Sequence, residues 1–156
     1  MSITIDRNVA LILSAVLALG LLGCSHDNTD RKANAIVGAW FVKDTGAPFP
    51  YHMYVFNADG TMQQANPDAG DPHSSDSDGK GVWVAVGDRI KGKWVEVTAD
   101  RASHKFMGRT EISYDVKVTA DTFAGTITAI SYDAAGTQTE GPTGPTPLEG
   151  KRVTLP

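Results

Sequence analysis

A two-residue alternation of apolar and polar side chains runs through most of the chain after residue 35, and it limits the folds available to this sequence. The alternation is clearest over 105–119, where one parity carries Phe106, Gly108, Thr110, Ile112, Tyr114, Val116 and Val118. Successive side chains of a β-strand point to opposite faces, so this parity predicts a strand with one interior face. No segment of useful length has the apolar spacing of an amphipathic helix.

Turn dipeptides separate the alternating segments at hairpin spacing. Gly60, Gly87-Asp88, Ala120-Asp121 and Gly136 fall between consecutive segments, and such residues favour tight turns. The predicted strands are 35–44, 51–56, 61–65, 81–86, 89–98, 105–119, 122–133 and 151–155. Without helices to cover its faces, such a set closes on itself or stacks as a sandwich. We predict an all-β fold, an eight-stranded antiparallel up-and-down barrel over 35–156, with the proline-rich stretch 141–150 as a connector.

One strand breaks the pattern. In 89–98, Ile90, Gly92 and Trp94 share the parity of Glu96, whereas Val95 and Val97 share that of the lysines. Either a bulge near Trp94 resets the phase or the interior carries a carboxylate, and the bulge is the commoner cause of such breaks.

The longest predicted loop, 66–81, is rich in Asp, Ser, Gly and Pro. Asp76-Ser77-Asp78-Gly79 has the alternate oxygen ligands of a calcium loop, but Ala85 stands where the bidentate Glu should follow. We therefore expect no metal site and interpret the segment as a solvated loop or a lid over the barrel mouth.

The first 34 residues differ in kind from the rest. Residues 9–22 are uncharged and mostly apolar, too short to span a bilayer but typical of a secretory signal. Leu21-Leu22-Gly23-Cys24 follows and resembles the lipobox of bacterial lipoproteins, in which the Cys becomes the lipidated first residue. The resemblance implies a signal peptide over 1–23, a flexible tether over 24–34, a lipid anchor on Cys24 and a place in the cell envelope, at the periplasmic face of the outer membrane. Cys24 is the single Cys, so an internal disulfide is excluded.

A second resemblance lies at the two ends of the predicted barrel. Gly38-Ala39-Trp40 is in the first strand and Arg152 in the last. This pattern resembles the calycin superfamily, in which a basic side chain from the closing strand covers the Trp of a Gly-x-Trp motif. The likeness also extends to small allene-oxide-cyclase-like barrels. It implies a barrel closed at one end.

The sequence contains no catalytic motif or cofactor motif among those with a known mechanism. The net charge of −4 argues against a nucleic-acid partner. We expect a small apolar ligand inside the barrel; alternatives are a cyclase or isomerase working through His52, Tyr54 and Glu96, and a structural envelope protein with a filled barrel. The candidate ligand-binding residues are His52, Tyr54, Trp83, Trp94, Glu96 and Tyr114.

Overall fold

The computed structural model describes residues 35–68 and 71–156, so the predicted signal peptide, the tether and Cys24 lie outside the described residues. The described part is built from β-strands, as the alternation predicts. These are β1 (Gly38–Asp44), β2 (Tyr51–Phe56), β3 (Thr61–Ala65), β4 (Ser74–Asp76), β5 (Gly79–Val86), β6 (Arg89–Asp100), β7 (Phe106–Thr119), β8 (Thr122–Asp133) and β9 (Gln138–Arg152).

Eight of these strands form a closed antiparallel barrel, which confirms the predicted fold. Around the barrel the order is β1, β2, β3, β5, β6, β7, β8 and β9. The ring closes where β9 pairs with β1, from Trp40 opposite Arg152 to Asp44 opposite Leu148. Within the described ranges, no helix is long and apolar enough to cross a membrane.

The remaining strand, β4, corrects the prediction for the 66–81 loop. Residues 74–76 pair with 98–100 of β6, and β5 begins at Gly79 rather than at Gly81. β4 and β5 thus follow the same edge of β6, one after the other. The predicted loop is shorter than expected, and part of it is fixed to the barrel wall.

The alternation of inward and outward side chains along β6 also differs from the prediction that a bulge near Trp94 shifts it. Its register with β7 is continuous from Ile90 to Thr98, and the irregularity falls between Thr98 and Ala99. The bulge predicted near Trp94 is therefore wrong, and Glu96 keeps the inward parity of Trp94. The outside of the barrel accommodates Val97, which is 48% exposed.

The connector predicted over 141–150 is wrong as well, because this segment belongs to β9. Pairing with β8 continues through it with three register shifts, at Ile127/Ala129, Ala129/Ser131 and Ser131/Tyr132. Only 148–152 also pairs with β1. Residues 138–147 thus bond to one neighbouring strand, and prolines are tolerated at such an edge.

The barrel interior is filled at one end. Turns 57–60, 87–88 and 120–121 lie at this end, together with Trp40 and Arg152. The Phe56 ring is central and has edge contacts with Tyr54, Trp83, Tyr114 and Phe123, at centroid distances of 6.1 to 6.4 Å. These aromatic side chains fill this half of the barrel, and the unfilled part of the interior lies at the opposite, open end.

Close packing in the filled half depends on glycines opposite aromatic residues. Tyr114 is paired with Gly92 across β6 and β7, and Phe123 is paired with Gly150 across β8 and β9. A methyl group at either glycine would overlap the opposing ring or its hydroxyl. The missing side chain therefore provides the space that the aromatic ring occupies.

The predicted signature residues meet at the filled end. The Arg152 guanidinium lies over the Trp40 ring, 4.3 Å from its centroid. It also donates hydrogen bonds to the backbone carbonyls of Ala35 and Val37. The Trp40 indole donates to the Ile36 carbonyl at 2.8 Å. The cation–π contact and these hydrogen bonds close this end of the barrel.

Candidate functional site

A cavity of about 530 Å³ occupies the open end of the barrel. Its walls come from the end of β1, from β2, β4, β6, β7, β8 and β9, and from the segments after β1, β3 and β4. The side chains that matter below are Asp44, His52, Asp76, Trp94, Glu96, Ile112, Ile127 and Glu140. The lining is mixed, with an apolar part from β6, β7 and β8 and many oxygen atoms from the loops.

The six predicted ligand-binding residues divide into two groups. His52, Trp94 and Glu96 line the cavity. Tyr54, Trp83 and Tyr114 are instead buried in the filled half, where the Trp83 indole donates to the carbonyls of Asn57 and Thr61 at 3.0 and 3.1 Å. The Tyr114 hydroxyl contacts the Met62 sulfur at 2.9 Å. These three residues pack the core.

His52 and Trp94 mark the inner end of the cavity. Both rings contact Tyr54 of the filled core, each at a centroid distance of 6.3 Å. Both also line the cavity, although His52 is only 7% exposed and Trp94 only 4%. They therefore form the boundary between packed core and open space, which we call the cavity floor.

Gln64 fixes the protonation of the His52 ring. Its Oε1 accepts a bond from the Gly79 amide at 2.9 Å, so its Nε2 is the donor toward His52 Nδ1, also at 2.9 Å. Nδ1 then accepts, and Nε2 carries the proton of the neutral ring. Burial lowers the pKa of His52, against a smaller opposing influence of the Asp44 carboxylate and the Phe49 backbone. The neutral form is thus favoured.

The floor contains buried polar atoms without a regular hydrogen bond inside the described part of the protein. Among the described residues, His52 Nε2, Trp94 Nε1 and Tyr54 Oη have no hydrogen-bond partner of regular geometry. Burial raises the pKa of the Tyr54 hydroxyl, so it stays protonated; a weak hydrogen bond with the Trp94 side chain opposes this shift. Buried donors without acceptors are rare and costly. Two of these groups, His52 and Trp94, line the cavity and can donate to a bound acceptor.

Glu96 lies two residues beyond Trp94 toward the open end, on the same face of β6. Partial burial and, to a smaller extent, the nearby Asp76 carboxylate together raise its pKa to about 7. Asp76 is held by the Thr98 hydroxyl, which donates to it at 2.7 Å. The two carboxyl groups thus share one side of the cavity above the floor.

The acidic groups of this cavity are not balanced by bases. Within the described ranges, no Lys or Arg side chain belongs to its lining. Arg101 lies beside it, and its guanidinium pairs with Asp68 and bonds to the carbonyls of Asp71 and Ser74. Arg101 therefore attaches Asp68 and residues 71–74 to the barrel, where they line the mouth of the cavity, and the lid function of this segment stays a prediction.

The sequence analysis did not identify two residues that line the cavity, Asp44 and Asp76, or Gln64, which bonds to the cavity residue His52. Asp44 ends β1 at the same inward parity as Trp40 and Val42, and Gln64 has the inward parity of Met62 on β3. Parity alone could have identified both. Asp76 carried no such signal, because its position depends on the pairing of β4 with β6. In the part of the chain that the structure describes, no three His, Cys, Asp or Glu side chains are grouped to hold a metal ion.

Comparisons with protein-family models, with curated proteins and with solved structures found no match to this chain. The functional interpretation therefore depends on the geometry of the cavity.

Proposed function

We propose that this chain is a lipid-anchored envelope protein that binds one small amphipathic molecule in the cavity at the open end of its barrel. The observation that supports binding is the cavity floor, where the buried N–H groups of His52 and Trp94 lack acceptors of regular geometry. A ligand oxygen that reached them would give each of them a regular hydrogen bond. The mixed lining favours an amphipathic ligand over the wholly apolar one expected from the sequence.

Native mass spectrometry of the protein purified from its own source tests this proposal. We expect an additional mass that survives desalting and is lost on denaturation. Trp94→Phe keeps a ring at the floor but removes the N–H, and it should weaken retention. Trp83→Phe is the matched control, because the Trp83 N–H already bonds to carbonyls of the filled half. Protein that carries no additional mass at any purification step would contradict the proposal.

The lipid anchor is proposed from the Leu21-Leu22-Gly23-Cys24 sequence after the hydrophobic stretch. Radioactive palmitate should label the wild type and the Ser25→Ala control, but not Cys24→Ser. The Cys24→Ser protein should also leave the membrane fraction. A Cys24→Ser protein that remains in the membranes would contradict the anchor.

An isomerase or cyclase is the second candidate, and the presence of Glu96 in the same cavity as the neutral His52 ring favours it. A carboxyl with a pKa of about 7 can both donate and accept a proton at neutral pH. Molecules released from wild type and from Glu96→Gln should then differ, the variant holding the unconverted isomer. The same molecule in both proteins would indicate binding alone.

A further inference from the structure

We propose that the ligand of this cavity is a small organic cation with a hydrogen-bond acceptor at its inner end, bound between the N–H groups of His52 and Trp94 and the carboxyl groups of Glu96 and Asp76. This inference rests on the proposed function and adds the chemical class of the ligand. Two independent observations support it: the unpartnered donors of the floor and the unbalanced charge of the walls.

The charge of the cavity walls favours a positively charged ligand. Asp44, Asp76, Glu96 and Glu140 line the cavity, and in the described ranges none of them forms a salt bridge. Arg101 neutralises only Asp68. Clefts lined by one sign of charge concentrate ligands of the opposite sign. An anion would meet repulsion from several sides.

The cavity floor favours a hydrogen-bond acceptor at the inner end of the ligand. His52 and Trp94 are both more than nine-tenths buried and line the cavity, and neither ring N–H has an acceptor of regular geometry within the described residues. An ammonium group has no lone pair to accept these bonds, whereas a carbonyl oxygen does. The cationic group therefore belongs away from the floor, at the carboxyl groups.

The spacing along β6 gives the length of the ligand. Strands rise about 3.3 Å per residue, so Glu96 stands about 7 Å above Trp94. Asp76 is paired with Thr98, two residues further along β6. An acceptor and an ammonium separated by about 7 to 13 Å would reach both places. Ile112 and Ile127 line the cavity and can cover an apolar chain between them.

Three probes of nearly equal size test the assignment. N-benzoyl-1,4-diaminobutane carries an amide carbonyl and an ammonium, N-pentylbenzamide is its neutral counterpart, and 5-benzamidopentanoate is its anionic counterpart. Titration calorimetry at low ionic strength should give the cationic probe at least tenfold tighter binding than the neutral one. The anion should bind more weakly than both.

Variants identify the carboxyl groups responsible. Glu96→Gln and Asp76→Asn should each reduce the preference for the cation by threefold or more, with little effect on the neutral probe. Asp88→Asn makes the same charge change in the β5–β6 turn at the filled end and should leave the preference intact.

The possible outcomes separate this inference from the proposed function. Binding of the neutral or anionic probe as tightly as the cation would overturn the cationic class while leaving ligand binding in place. Binding of none of the three at millimolar concentration would also overturn it, and native mass spectrometry would then decide the proposed function independently. A preference for the cation that survives Glu96→Gln and Asp76→Asn together would overturn the assigned position of the ammonium.

Discussion

The guanidinium carbon of Arg152 lies 4.3 Å from the centroid of the Trp40 ring, so the last strand covers the first at the filled end of the barrel. Arg152 also bonds to the carbonyls of Ala35 and Val37. These contacts connect β1, β9 and the segment that precedes β1 at one side chain. A single Arg at the end of β9 thus secures the filled end of the barrel.

We predict that Arg152→Ala lowers the free energy of unfolding by about 2 to 4 kcal/mol, because it removes the cation–π contact and leaves two carbonyls unpaired. Urea denaturation measures the change. Arg109→Ala is the control: its guanidinium lies 4.2 Å from the centroid of the Tyr132 ring but belongs to a partly exposed pair with Glu111. It should cost less than about 1 kcal/mol. Equal costs would contradict the special role of Arg152.

A second prediction concerns the glycine beneath Tyr114. A Cβ at residue 92 would overlap the Tyr114 hydroxyl and lie 2.6 Å from the Val82 carbonyl oxygen. Gly92→Ala should therefore destabilise the protein by about 2 kcal/mol through overpacking, measured by thermal unfolding. In the matched variant Gly87→Asn, the new side chain has open space and Asn tolerates the positive φ of 60°. Its Tm should stay close to that of the wild type.

Neighbouring glutamines on β3 give a third prediction. Gln64 is fully buried and bonds to the Gly79 amide and to His52, whereas Gln63 is exposed and accepts from Lys80. Gln64→Leu should cost about 2 to 4 kcal/mol, because a buried N–H loses its acceptor. Gln63→Leu should change stability by less than about 0.5 kcal/mol.

Nitrogen NMR of the His52 ring supplies a readout that general destabilisation would not produce. The wild type should show the neutral ring protonated at Nε2, since Gln64 donates to Nδ1. In Gln64→Leu this preference should weaken. A wild-type ring protonated at Nδ1 would contradict the assigned network.

The fourth prediction is a pH dependence of stability. Folding raises the pKa of Glu96 from its ordinary 4.5 to about 7, so the folded protein holds a proton that the unfolded chain has already released. The free energy of unfolding should therefore fall as the pH rises from about 4.5 to about 7. Glu96→Gln removes this loss and should be more stable than wild type at pH 8, by about 1 to 2 kcal/mol after screening by solvent, yet similar at pH 4.

Glu111→Gln is a control of opposite sign. Lys93 and Arg109 lower the pKa of Glu111, so its ionised form stabilises the folded protein above its ordinary pKa. This variant should be less stable than wild type at pH 8. Parallel pH profiles for the two variants would contradict the assigned environment of Glu96.

Alternation predicted which face each side chain takes, but it could not predict depth along the barrel axis. Tyr54, Trp83 and Tyr114 have the inward parity expected of ligand-lining residues, yet they lie in the filled half. Trp94 and Glu96 share the inward face of one strand and line the cavity. Depth depends on how neighbouring strands are staggered, and the stagger is set by pairing between residues far apart in sequence.

The errors at 94 and 141–150 have a similar cause. Val95 and Val97 suggested a phase reset, although an apolar side chain on the outside of a barrel is common. The prolines of 141–150 suggested a connector, because Pro cannot donate to a central ladder. The neighbours of 138–147 decide that case: the segment has a strand on one side only.

The division of the barrel into a filled half and an open half separates two kinds of evolutionary constraint. Substitutions at Phe56 or Tyr114 would disturb the packing that every other strand depends on, so those positions have little freedom to drift. Substitutions at the walls of the mouth would alter the proposed binding site while leaving the packing of the filled half unchanged. A barrel of this kind can acquire a new specificity by a few exchanges without first becoming unstable.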